Sequence, residues 1–351
     1  MTSAAPGGTP PPVGRGLGRF FAAHPIVALA ILTPGIPEYL STSSPVLALA
    51  LNPVGFFLQL AINVGQYTAG ALLVREAMVR WGKGWASVVL LGAAYAVVEE
   101  GLGDSTIFNS THGADGVLGS FGRFAGVNWV WTTGILAFHI LYSIGLPILL
   151  LGLAVPSSRG RSLLGRPGLL LCVGTVALAT LIENRIVYAT YGFWAGAPLL
   201  VAALAAIAGL VVAARLVPPD LGRPRAGPAR LGPWTAGLLG FAIFPVLFAL
   251  EYDVSAAGVA APVVLLLEAV FLGGVAEAVR RGVGRPAREY LLVQLAGGLL
   301  LWQSLFGVLL TLGLPYTLPL VGLVVVFLVR LRRAYAPAAA PPTGAKGSSA
   351  G

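Results

Sequence analysis

Apolar runs long enough to cross a bilayer, separated by short segments that carry most of the arginines, repeat along nearly the whole chain. About 20 apolar residues in helical form span roughly 30 Å of hydrocarbon, and a helix is the conformation that satisfies its own backbone there. On that criterion spans are predicted at about 20–40, 54–74, 85–104, 127–153, 168–183, 196–214, 235–251, 256–278, 290–310 and 313–330, about ten in all. The fold class expected is all-α, a polytopic transmembrane helical bundle. Pro34, Pro37 and Glu38 interrupt the first run, which reads as a retained span broken near its far end. Residues 1–18 are rich in Pro, Gly and Ser and residues 334–351 in Ala, Pro, Gly and Ser, so a disordered head and tail should flank a transmembrane domain over 19–333.

Composition agrees: 57% of the 351 residues are hydrophobic and 10% charged, with mean hydropathy +0.86, far too apolar for a water-soluble domain. The net charge of +9 would otherwise point to nucleic acid. Placement excludes that partner. Arg15 and Arg19, Arg75 to Lys83, Arg159 to Arg166, Arg215 to Arg230, Arg280 to Arg288 and Arg330 to Lys346 occupy alternate connections, leaving only Arg123 and Arg185 elsewhere. Basic residues collect on the cytoplasmic side, so both termini should be cytoplasmic in a multi-pass protein of the plasma membrane. Glu38, Glu99, Glu100, Asp104, Asp115, Glu183, Glu251 and Asp253 fall at or near the opposite ends of spans. The single Cys172 lies within an apolar run, which rules out an intramolecular disulfide and a thiolate metal cluster.

Helical spacing, at 100° per residue, gathers scattered polar residues into faces. Gln59, Asn63 and Gln66 share one stripe of the second span, and Asn128, Thr132, His139 and Ser143 one stripe of the fourth. Lipid cannot satisfy amides or imidazole, so both stripes should line an interior polar cavity within residues 54–153. The third span supplies Glu99 and Glu100, about 100° apart, with Asp104 on the face of Glu100. His112 follows in a Gly/Ser/Asn-rich loop whose position, re-entrant or capping, the sequence leaves open. Ionisable groups inside hydrocarbon cost roughly 2.5 to 3.5 kcal/mol each on insertion scales, which makes this stretch the expected functional centre. Counted from the span ends, His139 lies about 10 Å deeper than the glutamates, so contact requires tilt or sliding. Glu268, midway along the eighth span, stands alone, and Glu183-Asn184-Arg185 reads as a helix-end ion pair. No HExxH or CxxC occurs, and GxSxG occurs at Gly347-Ser-Ser-Ala-Gly351, in the Ala/Pro/Gly/Ser tail where no strand-to-helix turn is predicted, which removes the common zinc-protease and serine-hydrolase readings.

Glu99-Glu100, Phe108-Asn-Ser-Thr-His112 and His139-Ile-Leu-Tyr-Ser143 resemble the motifs of the CAAX protease and bacteriocin-processing family of intramembrane endopeptidases. The likeness covers residues 99–143 and departs from the family pattern at Asp104, where the family has Arg, at the short step from Glu100 to Phe108, and at Ser143, where the family has Asn. The resemblance implies peptide hydrolysis within the membrane, with Glu100 as water-activating base, Glu99 as its support, and His112 and His139 stabilising the oxyanion or the water. A divalent metal held by Glu99, Glu100, His112 and His139 is compatible with those side chains. Substrates then lie among membrane peptides or lipid-linked molecules. A transporter or permease is the alternative, with Gln59, Asn63, Gln66 and His139 along a solute path and Glu268 coupling protons. A non-catalytic membrane assembly protein is the third. Oligomeric state is not readable from the sequence.

Overall fold

A computed structural model describes residues 17–44, 46–113, 116–224, 227–311 and 317–336. Among these the chain is helical almost throughout. A short α1 (Leu17–Ala23) leads into α2 (Pro25–Pro34). After the small α3 (Ala48–Leu51) come α4 (Pro53–Arg80), α5 (Trp85–Val97), α6 (Trp129–Phe138), α7 (Leu146–Ala154), α8 (Arg166–Tyr191), α9 (Ala197–Leu216), α10 (Pro233–Phe248), α11 (Ala261–Gly282), α12 (Arg288–Leu310) and α13 (Thr317–Tyr335). Taken with their continuations, eight helices are long and apolar enough to cross a membrane, the α5, α6–α7 and α10 units running 85–103, 129–154 and 233–254. The remaining two expected spans are weaker. The Pro25–Leu40 helix is shorter than the rest, and α13 carries Arg330, Arg332 and Arg333 in its last turns. The expected head and tail lie mostly outside the described residues, but Leu17 already belongs to α1, and α13 runs to Tyr335.

Four stretches widen into π-helical turns: Gly35–Leu40 after α2, Val98–Gly103 after α5, His139–Gly145 between α6 and α7, and Ala249–Val254 after α10. Proline explains part of this. Pro37 and Pro147 have no N–H to continue the ladder, and Pro245 interrupts α10 just ahead of its wide turn. Each stretch carries a buried or half-buried ionisable residue: Glu38; Glu99 and Glu100; His139; Glu251. π-Bulges re-aim side chains and recur at functional sites.

Two apolar clusters form the interior. One joins Leu29, Leu72, Leu91, Ile144 and Leu151, and the other joins Tyr142, Leu150, Phe244, Leu247 and Leu300. Glycines let α10 and α12 approach closely, since a Cβ on Gly240 or Gly298 would strike the facing backbone at Leu295 or Gly237.

The connection after Gly103 folds back over the helix ends as a cap. Ser105 to Asn109 are buried, Leu118 is fully so, and a two-residue hairpin pairs β1 (Arg123–Phe124) with β2 (Val127–Asn128). Ala125 and Gly126 at its tip both have positive φ, the conformation that a tight two-residue hairpin demands. Arg123, one of two basic residues outside the alternating series, donates to the carbonyls of Phe108, Asn109 and Gly119. Burial lowers its pKa; the three carbonyl oxygens offset that by holding the charged form.

Candidate functional site

His139 opens the wide turn after α6, and its ring is 2% exposed. Nε2 lies 2.7 Å from Glu100 Oε1, while Nδ1 lies 2.9 Å from Ser143 Oγ and 3.2 Å from Glu99 Oε2. Tyr67 stacks parallel to the imidazole at 6.3 Å, and Tyr95 and Phe138 meet it edge-on at 6.1 and 5.4 Å. The two glutamates point in different directions along the chain, as helical spacing requires, and so engage opposite nitrogens of one ring. The partners meet despite the anticipated offset of about 10 Å, so the spans are tilted or slid relative to one another, and both partners sit in widened turns.

Hydroxyl, amide and indole donors from neighbouring segments fix these groups. The Thr106 hydroxyl donates to Glu100 Oε2, and Trp131 Nε1 donates to Thr106 Oγ1 at 3.1 Å. Tyr67 donates to Glu38 Oε1 at 2.6 Å, Ser44 to Glu38 Oε2 at 2.8 Å, and Asn63 Nδ2 to Ser44 Oγ at 3.1 Å. Gln66 Nε2 reaches Glu183 Oε2 at 2.8 Å. Glu183 sits against Gly103, where a Cβ would come within 2.6 Å of its carboxyl oxygen. Glu38 and Glu183 both act electrostatically on the central group. Two carboxyls and one imidazole sharing two protons carry a net charge of −1 whether the ring is doubly protonated or one carboxyl holds the proton. Proton position is therefore free to change within the triad at constant total charge, which is what general acid–base chemistry requires.

The expected residues divide. Glu99, Glu100, His139 and Ser143 converge, and Asn63 and Gln66, 2% and 0% exposed, belong to the surrounding network. Gln59 is exposed and touches the network only through Asn63 Oδ1 at 2.8 Å; it stands near the helix start, outside the packed interior. Asn128 is buried but caps α6, accepting from Trp131 N at 3.1 Å and donating to Leu118 O at 2.5 Å, and Thr132 donates to its own helix at Asn128 O. Helix capping claims that half of the stripe. Asp104, 43% exposed in its side chain, pairs with His112 Nε2 at 3.3 Å, and His112 stacks on Tyr191 at 4.3 Å. Those two mark the rim. Glu268 belongs to a separate part of the bundle and does not stand alone there, since its charge acts on Glu251. Asp115 lies outside the described residues.

Glu38, Ser44, Tyr67, Tyr95, Thr106 and Glu183 complete the site without having been singled out for it. Glu183 looked like a helix-end residue because apolar character fades there, but α8 continues to Gly192, whose φ of +65° closes the helix. Its neighbour Arg185 turns away over the Trp194 ring at 5.1 Å. The proposed four-residue metal set is not assembled: His112 pairs with Asp104, Glu100 hydrogen-bonds His139, and Glu99 Oε2 faces the other ring nitrogen without a hydrogen bond of its own. Among the described residues no group of three or more His, Cys, Asp and Glu side chains is arranged to hold a metal ion.

Beside the site, Val98 and Leu102 share an apolar groove of about 470 Å³ with Leu73, Val176, Thr180 and Trp194. Comparison with protein-family models, curated proteins and solved structures finds no match to this chain. It is a helical, multi-pass-type membrane protein by composition and helix length.

Proposed function

We propose that this protein is a glutamate-dependent hydrolase working within the plasma membrane, on a membrane peptide or lipid-linked substrate. The carrying observation is the His139 imidazole held between Glu99 and Glu100 at 3.2 and 2.7 Å. In this reading Glu100 takes a proton from the attacking water, His139 receives and returns it, and Glu99 balances the imidazolium. Thr106 and Ser143 orient the two partners. The apolar groove at Val98 and Leu102 is suited to a substrate arriving from the lipid. The partial likeness to CAAX-type endopeptidases agrees with this chemistry. The proposal retains about ten spans with both termini cytoplasmic, the site opening to the opposite side.

A solute path is less well supported. Inward of His139 the interior is the apolar cluster of Leu72, Leu91, Ile144, Ile148 and Leu151, and Glu268 stands apart from the stripe it would have to serve. The deciding experiment compares wild type, Glu100→Gln and His139→Ala in native membranes for precursor-peptide accumulation and for solute uptake. Precursor should accumulate in both variants, with processing reduced by about 10² or more. Unchanged processing with impaired uptake overturns the assignment.

A further inference from the structure

A second polar site lies across α6. Glu251, in the wide turn after α10, is 5% exposed, and Glu268 of α11 is 0% exposed. The charge of Glu268 acts on Glu251. The carboxyl of Glu251 presses against Gly134, where a Cβ would overlap it, and Glu268 lies beside Thr133. Thr133 and Gly134 are about 120 to 140° around α6 from His139, so the two sites occupy different faces of one helix.

Glu251 Oε1 is buried with no hydrogen-bond partner, and both oxygens of Glu268 are buried with none of good geometry, the Thr133 hydroxyl being the donor that faces them. The hydroxyl of Ser255, 3% exposed, is also buried with no partner, and it follows Glu251 by one turn and shares its face. The single Thr133 proton is contested between Trp129 O, at 3.1 Å, and Glu268, so it cannot satisfy both carboxyl oxygens. Apolar residues close the surroundings: Leu118, Val130 and Val264 on one side, Leu247 and Phe244 on the other. Buried carboxyl oxygens left unmatched are costly, and more so in a bilayer, so a positive species belongs among them. Every donor atom here is oxygen, the ligand type of hard cations and not of soft metals.

We propose that Glu251, Glu268 and Ser255 form a binding site for one hard, oxygen-ligated cation, of the calcium or sodium class, independent of the His139 site. The wide turn at Ala249–Val254 supplies the displacement that brings Glu251 over Gly134.

The test uses the full chain in lipid nanodiscs at constant ionic strength, with N-methylglucamine chloride replaced by calcium, magnesium, sodium or potassium chloride. Calcium or sodium should raise the unfolding temperature saturably, as mass action requires of a ligand bound only by the folded state. Radiolabelled calcium or sodium should bind at one per chain. Glu268→Gln and Glu251→Gln should abolish both effects, Ser255→Ala should weaken affinity by about tenfold, and Glu100→Gln should leave them intact. If a glutamate variant fails to fold, the wild-type stoichiometry and Ser255→Ala still decide. Absence of any specific cation effect on wild type overturns the proposal. So does an equal effect in Ser255→Ala and the glutamate variants, or an infrared carboxylic-acid band in wild type that no cation removes and that Glu268→Gln abolishes, the mark of a carboxyl held by a proton.

Discussion

His139 meets carboxylates from successive positions of one turn differently: Nε2 is hydrogen-bonded to Glu100 at 2.7 Å, while Nδ1 is hydrogen-bonded to Ser143 and lies 3.2 Å from Glu99. Removing either carboxylate is therefore not equivalent. Glu100 also accepts from Thr106, so Thr106→Val should leave Glu100 Oε2 short of a donor and cost about 1 to 3 kcal/mol. Thermal unfolding and peptide processing should both fall in that variant, while Thr106→Ser should recover them. Glycine at 134 is the other decisive residue. Gly134→Ala drives a methyl into the Glu251 carboxyl, and overpacking of that kind costs about 1 to 3 kcal/mol. A lowered unfolding temperature checks it, and Gly174→Ala, whose Cβ would meet open space, is the control.

At the scale of elements, widened turns and one loop carry the site. Spacing alone places Asn128, Thr132, His139 and Ser143 on one face, and the structure splits them because the first two serve the start of α6. The cap from Gly103 to Asn128 depends on Arg123, which holds three carbonyls in place. Arg123→Ala should loosen it without unfolding the bundle, seen as faster amide exchange over 105–109 and reduced processing. On the opposite side, Glu76 is fully buried and accepts from Arg75, Arg80, Ser162 and the backbone N–H of Leu163. Glu76→Ala leaves the buried Arg75 with only the carbonyls of Ser158 and Arg161 and no counter-charge, the kind of loss that costs about 3 to 5 kcal/mol when a buried pair is broken. Expression in the membrane fraction and unfolding temperature should drop more than for Glu277→Ala, whose partners Arg280 and Arg281 are partly exposed.

For the molecule as a whole, the alternating arginines predict a single orientation. Cysteines introduced at Gly160 and Gly222 in a Cys172→Ala background should react with an impermeant thiol reagent only from the cytoplasmic side, and one at Ser110 only from the other. Reaction of all three from one side would refute the orientation.

Membrane residence, the approximate positions of the helices and the alternation of basic connections were legible along the chain, because hydrophobic length and charge placement are one-dimensional properties. The pairing of Glu99 and Glu100 with His139 was partly legible, since amides and imidazoles must avoid lipid, but the polar stripes say only which way a face turns. Tertiary structure alone decided which carboxyls meet. Glu38 and Glu183 reach the His139 site from helices distant in sequence, and Glu251 meets Glu268 of the next helix at another site, through wide turns and glycine contacts whose register depends on how neighbouring helices pack.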